Sequence, residues 1–287
     1  MLKRFLLAGA LLAPFGGVAQ PNAGAVGLLG VSVFRLIKGT SIESARNEEV
    51  WATVTLDWPA EAVTPEARAT QLNPVLMSAK RGVIGLNRRI DASPDSADLY
   101  RRRGILRTAL LNGGLTDALS AAADLNTARA KGSQHPELDY ELARAHIVVG
   151  ALTKSTASIS EHLVKFPNDP RGYRLRALAE MHRSKGDHAE HCRQAIPDLE
   201  RALALDSTDF STLMLRGYAR TITDQLAAGI ADYRRALTIS PTNTQTHFFL
   251  AEALLAAGNE AEACEHFAQA EAFAPKTTRA YHKKYCK

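Results

Sequence analysis

The apolar positions toward the end of the chain follow a helical period and then repeat as a block. Between residues 244 and 275, His247, Leu250, Leu254 and Leu255 recur at three- and four-residue spacing. Gly258-Asn259 breaks that face, and Ala263, Phe267, Ala270 and Phe273 form a second one that stops at Pro275. Two amphipathic helices joined by a tight turn are therefore predicted. Similar text, "RALALDS", "RALTISP" and "AQAEAFAP", leads up to Ser207, Pro241 and Pro275, which are spaced 34 residues apart. A fixed spacing of this size is the mark of a stacked array of helical hairpins, in which neither helix buries its apolar face alone.

Weaker copies extend the array upstream. Residues 172–209 carry Ala179, Gly186, Ala195, Leu199 and Ala202, with about four extra residues at the hairpin turn. Residues 136–169 carry Ala143, Gly150, Ile159 and Pro167, and residues 97–135 carry Gly104, Gly113, Ala118 and Leu125. The stretch "VIGLNRRIDASP", ending at Pro94, reads as a second helix lacking its first, and residues 71–96 are assigned to an N-terminal capping helix.

The last unit resembles the tetratricopeptide-repeat family. That family places a small residue eighth, Ala twentieth, an aromatic twenty-fourth, Ala twenty-seventh and Pro thirty-second, and Ala251, Ala263, Phe267, Ala270 and Pro275 match all five. The unit before it matches with Gly217, Tyr233, Ala236 and Pro241, and has Gly229 where the pattern has Ala. The resemblance implies an all-α, right-handed superhelical solenoid of stacked antiparallel helix pairs. About five units would fill residues 97–275, closed by a capping helix over 276–287.

The N-terminus departs from this pattern. Lys3 and Arg4, an apolar stretch from Phe5 to Ala13 and the small residues Gly17-Val18-Ala19 read as a secretory signal over residues 1–19. Export to a periplasm follows. An N-terminal membrane anchor is the other reading, since no charge occurs from Phe5 to Phe34, although Pro14, Gly16, Gly17 and Pro21 interrupt the run. Residues 20–70 form a non-repeat region whose "VGLLGVSVFRLI" and "VWATVTLDW" fit short strands and which holds both tryptophans, Trp51 and Trp58.

Composition narrows the function. The net charge of +5 falls to +3 without residues 1–19, and no like-charge run exceeds Arg101-Arg102-Arg103, so the dense basic stripe expected for nucleic acid is absent. No nucleophile elbow, phosphate-binding glycine loop or paired-histidine zinc helix occurs, and no histidine precedes His135. The sequence thus points to a non-enzyme without cofactor or small-molecule substrate. One cluster, "HRSKGDHAEHC", sets His188, His191 and Cys192 within one helical turn, a ligand chemistry that suits zinc or copper; a metal-handling protein is the alternative function, as is an accessory subunit of an envelope enzyme.

The repeat resemblance implies that first helices line a concave surface. Positions 2, 5 and 9 of those helices give Arg101, Tyr140, Arg144, Tyr173, Arg176, Met214, Tyr218 and Phe248. Guanidiniums fork onto carboxylates and rings supply apolar contact, so the expected partner is a protein or peptide carrying acidic groups, with any membrane contact made through that partner. Finally, a capping helix that folds back at about residue 275 would set Cys264 and Cys286 at equal height, within reach of a disulfide, with Cys192 left as a free thiol.

Overall fold

The computed structural model describes residues 80–109, 115–183, 186–271 and 275–286. The signal and anchor readings, the strands and both tryptophans fall on residues 1–79 and lie outside the described residues. Twelve α-helices and no strand occur among the described residues. They are α1 (80–92), α2 (Ala97–Ala109), α3 (Leu115–Ala130), α4 (Leu138–Val148), α5 (Leu152–Lys165) and α6 (Pro170–Met181), followed by α7 (His188–Leu205), α8 (Phe210–Ile222), α9 (Leu226–Ile239), α10 (Thr244–Ala257), α11 (Glu260–Ala270) and α12 (Pro275–Tyr285).

From α2 onward each helix packs on the next, which gives five helix pairs and a closing helix. First helices also touch the first helix of a neighbouring pair, as α2 does α4, α4 does α6 and α8 does α10. The fold is an all-helical solenoid.

Local chemistry fixes where the helices start and stop. Asp169, Asp187, Asp209, Asn243 and Asn259 are N-caps whose side chains accept a backbone N–H of the first turn. The hairpin turn inside a pair needs a left-handed residue. Gly150, Gly186, Asp224 and Gly258 supply it at φ of 72°, 102°, 63° and 84°, all at the same place in their units. Asp224 is the one non-glycine in that role among the described residues, and Asp is among the residue types that tolerate this region.

The core is laid down pair by pair. Tyr233, Phe248, Leu250, Leu254 and Phe267 are fully buried where α8 to α11 meet, and each such side chain contributes about 1.5–3 kcal/mol by leaving water. Gly217 lies under the Tyr233 ring, where a Cβ would stand 2.7 Å from the nearest ring carbon. The Gly229 departure from the family pattern has the same cause. A Cβ there would meet the Gly217 carbonyl oxygen at 2.9 Å and the Thr221 methyl at 2.6 Å.

Candidate functional site: the first-helix face and its arginines

The eight residues expected to share one open face do not do so. Tyr140, Met214 and Phe248 are core residues, 5%, 1% and 1% exposed. The physical reason is the stacking of first helices on their neighbours, which closes the fifth position. Met214, for example, receives the Thr246 hydroxyl on its sulfur at 3.2 Å, and the Arg171 guanidinium lies 4.9 Å over the Tyr140 ring. Tyr218 is half-buried and hydrogen-bonds His188 Nε2 at 3.1 Å, and burial holds its hydroxyl pKa well above the ordinary value.

The three arginines of that set are engaged within the chain. Arg101 pairs with Asp98 at 2.5 Å, and Arg144 pairs with Glu141 at 3.0 Å. Arg176 donates to Asp198 through Nε at 2.7 Å and Nη2 at 2.6 Å, a bidentate fork across the α6–α7 pair.

A recurrent clamp lies behind these contacts. In the first pair, Arg103 donates to Asp124 at 2.8 and 2.6 Å and Arg107 adds a third bond at 2.5 Å. In the fourth, Arg216 donates to Asp232 at 3.0 and 2.6 Å and Arg220 at 2.8 Å. Both aspartates are about 5% exposed or less. Each clamp takes two arginines four residues apart on the first helix and one aspartate on the second. Sequence reasoning missed it, although Arg-x-x-x-Arg at equivalent places in both units was there to be read.

Tyr173 is the candidate that keeps an accessible ring. It is half-buried, its hydroxyl donates to the Pro167 carbonyl at 2.9 Å, and Arg176 and Arg201 lie 5.6 and 5.9 Å from the ring centroid. Arg201 is exposed and makes no ion pair among the described residues. Beside Pro167 opens a cleft of about 380 Å³ walled by Pro136, Phe166 and Pro167 and edged by Glu137, Lys165 and Arg171. At its base, Asp169 accepts from His162 Nε2 at 2.9 Å and from the Arg171 side chain at 2.8 Å. Burial raises the Asp169 pKa, but the hydrogen bonds from Arg171 and His162 outweigh it and hold the carboxyl below its usual value.

The metal reading is corrected by the geometry. His188 Nε2 and Cys192 Sγ lie 3.5 Å apart, but His191 turns its Nδ1 to Glu180 at 2.9 Å, toward α6. Burial pushes the Cys192 thiol up to about 12, and burial beside His188 brings His182 down to about 4. Among the described residues no three His, Cys, Asp or Glu side chains form a metal-holding group. Cys264 and Cys286 are joined by a disulfide, with Cα atoms 5.6 Å apart, and Cys192 is a buried free thiol.

The described residues form a solenoid of stacked helical hairpins. Tetratricopeptide-repeat family models match residues 188–244 and 223–284. Over residues 188–284 the chain is built of tetratricopeptide repeats. No curated protein sequence matches it. Among solved structures, it is similar to a thermophilic TPR protein of Thermus thermophilus, with 22% identity and a TM-score of 0.51 over 66% of this chain and 98% of that one. It is also similar to YrrB, a TPR protein with an unusual peptide-binding site, with 15% identity and a TM-score of 0.52 over 69% of this chain and 97% of that one. MamA of Desulfovibrio magneticus, from residue 41 onward, shows 19% identity and a TM-score of 0.51 over 67% of this chain and 97% of that one. At these identities the likeness is one of fold.

Proposed function

We propose that the chain is a non-catalytic scaffold or assembly factor of the cell envelope that receives a segment of a partner protein against the first helices of its repeats. The observation that carries this reading is the Tyr173 ring, fixed through its hydroxyl and flanked by Arg176 and Arg201, next to an open cleft. A fixed ring with guanidiniums at its sides is the kind of anchor on which protein interfaces concentrate their energy. Arg201 carries a charge that none of the described residues neutralises, which favours a partner with a carboxylate at that place. The fold shared with a peptide-binding TPR protein agrees with a peptide or protein ligand. Export rests on the basic start, apolar stretch and small residues of positions 1–19. Among the described residues no helix is long and apolar enough to cross a membrane. Contact with a membrane is assigned to the partner.

The test is capture of the partner from native membranes, followed by affinity measurement with Arg201→Glu and Tyr173→Ala. Arg201 is the informative position because reversing it breaks no ion pair among the described residues, whereas reversing Arg176 would also strand Asp198. Arg201→Glu is expected to weaken binding tenfold or more, about 1.4 kcal/mol, with helicity unchanged. Equal affinity in both variants would remove this face as the site.

A further inference from the structure

We propose that the Cys264–Cys286 disulfide is a redox latch on α12, and that its reduction lets the helix lift and uncover the aromatic end of the solenoid. Beneath α12 lie Phe248 and Phe267, 1% and 0% exposed. The helix covers them chiefly with Tyr281, whose ring stacks on Phe267 at 4.9 Å and stands 6.4 Å from Phe248, and whose hydroxyl donates to Glu252 at 3.0 Å. Tyr285 adds a second stacked ring, 5.8 Å from Tyr281.

Among the described side chains, the rest of the non-covalent hold is poor. Arg279, Ala280, His282, Lys283 and Lys284 all face solvent. The Arg279–Glu271 ion pair is exposed on both sides, the kind of pair that contributes little. Docking also buries two hydroxyls, Thr278 Oγ1 and Tyr285 Oη, that find no hydrogen-bond partner among the described residues. A buried polar group without a partner opposes the state that buries it, and both would regain water when the helix lifts. Beside the Tyr281 contacts, the covalent bond is what holds it closed. Both of its cysteines are partly exposed and open to a reductant, while Cys192 is buried in a separate core cluster and takes no part.

The step is a thiol–disulfide exchange with a dithiol. A thiolate of the dithiol attacks one sulfur of the pair, and the other cysteine leaves as thiolate and takes a proton. The second thiol then resolves the mixed disulfide, so the protein gains two electrons and two protons and the reductant ends as its own disulfide.

Hydrogen exchange of the full chain, oxidised and after dithiothreitol, tests the latch. Amides of 278–285 are expected to exchange at least tenfold faster after reduction, with α8 and α9 unchanged. A Cys264→Ser/Cys286→Ser variant should match the reduced protein without reductant, and Tyr281→Ala in the oxidised chain should stay closed. Equal protection of α12 in oxidised and reduced protein would overturn the proposal. So would loss of protection spreading through α8 to α11, since the bond would then be a staple of the whole end rather than a latch on one helix.

Discussion

The Nδ1 atoms of His247 and His266 stand 2.9 Å apart, and Nε2 of His247 lies 2.8 Å from the Pro241 carbonyl oxygen. A carbonyl only accepts, so His247 carries its proton on Nε2 and presents a lone pair at Nδ1. His266 then donates from Nδ1. This link between α10 and α11 suits two neutral rings. A further proton on His247 would set two N–H groups against each other across the same gap.

The pH dependence of stability follows from this pair and from others like it. Burial lowers the pKa of His247, His266, His146 and His188 from 6.5, and brings His182 down to about 4. For a base with a folded pKa below its unfolded value, the unfolded chain binds the proton first. Stability is therefore full above about pH 6.5 and declines as the pH falls toward 4. Thermal melts at pH 7.5 and pH 5.0 should show a clearly lower Tm at the lower value. Asp98, Asp169 and Glu262, whose carboxyls lie below their ordinary values, add their loss only at more acid pH. An equal Tm at the two pH values would contradict the histidine account.

What could be read from the sequence is what the 34-residue period fixes. Ala251, Ala263, Phe267 and Ala270 follow from spacing alone, and their burial results because the helix pairs repeat one geometry. The open face was harder to read. A helix has one side toward its partner, but in a stack it has a second neighbour in the next pair. Met214 and Phe248 are buried by that second contact, which no single-helix periodicity reveals. The clamps on Asp124 and Asp232 were also hidden, because a charged residue on an inward position looks like a solvated one until its opposite is found across the pair. Near His188 the spacing misled in a different way. His188 and Cys192, four apart, do approach, whereas His191, three residues on from His188, finds Glu180 instead.

Asp232 supports a prediction of large effect. It is 4% exposed and receives bonds from Arg216 and Arg220, themselves 14% and 16% exposed. Asp232→Asn leaves two largely buried guanidiniums with a neutral acceptor, a loss expected to cost roughly 3 kcal/mol. Glu190→Gln, which removes the exposed partner of Arg193, should cost under about 1 kcal/mol. Urea unfolding of both variants checks the contrast. Similar midpoint shifts in the two would mean that the clamp contributes no more than a surface ion pair.

Two glycine-to-alanine exchanges in helices should act in opposite directions. Alanine is the better helix former by about 1 kcal/mol, so both changes gain from propensity alone. At Gly85, in α1, nothing lies within 4 Å of the added methyl, and Gly85→Ala is expected to stabilise by about 0.5–1 kcal/mol. At Gly217 the methyl would meet three carbons of the Tyr233 ring at 2.7, 2.9 and 3.1 Å. That ring is 1% exposed and stacked 6.2 Å from Phe249, so it has no free direction in which to yield. Overpacking of this kind costs about 1–3 kcal/mol and outweighs the propensity gain. Gly217→Ala should therefore lower the urea midpoint while Gly85→Ala raises it. A Gly217→Ala variant as stable as Gly85→Ala would show that the α8–α9 pair can open by a few tenths of an ångström, and that close approach at the eighth position is not what requires glycine there.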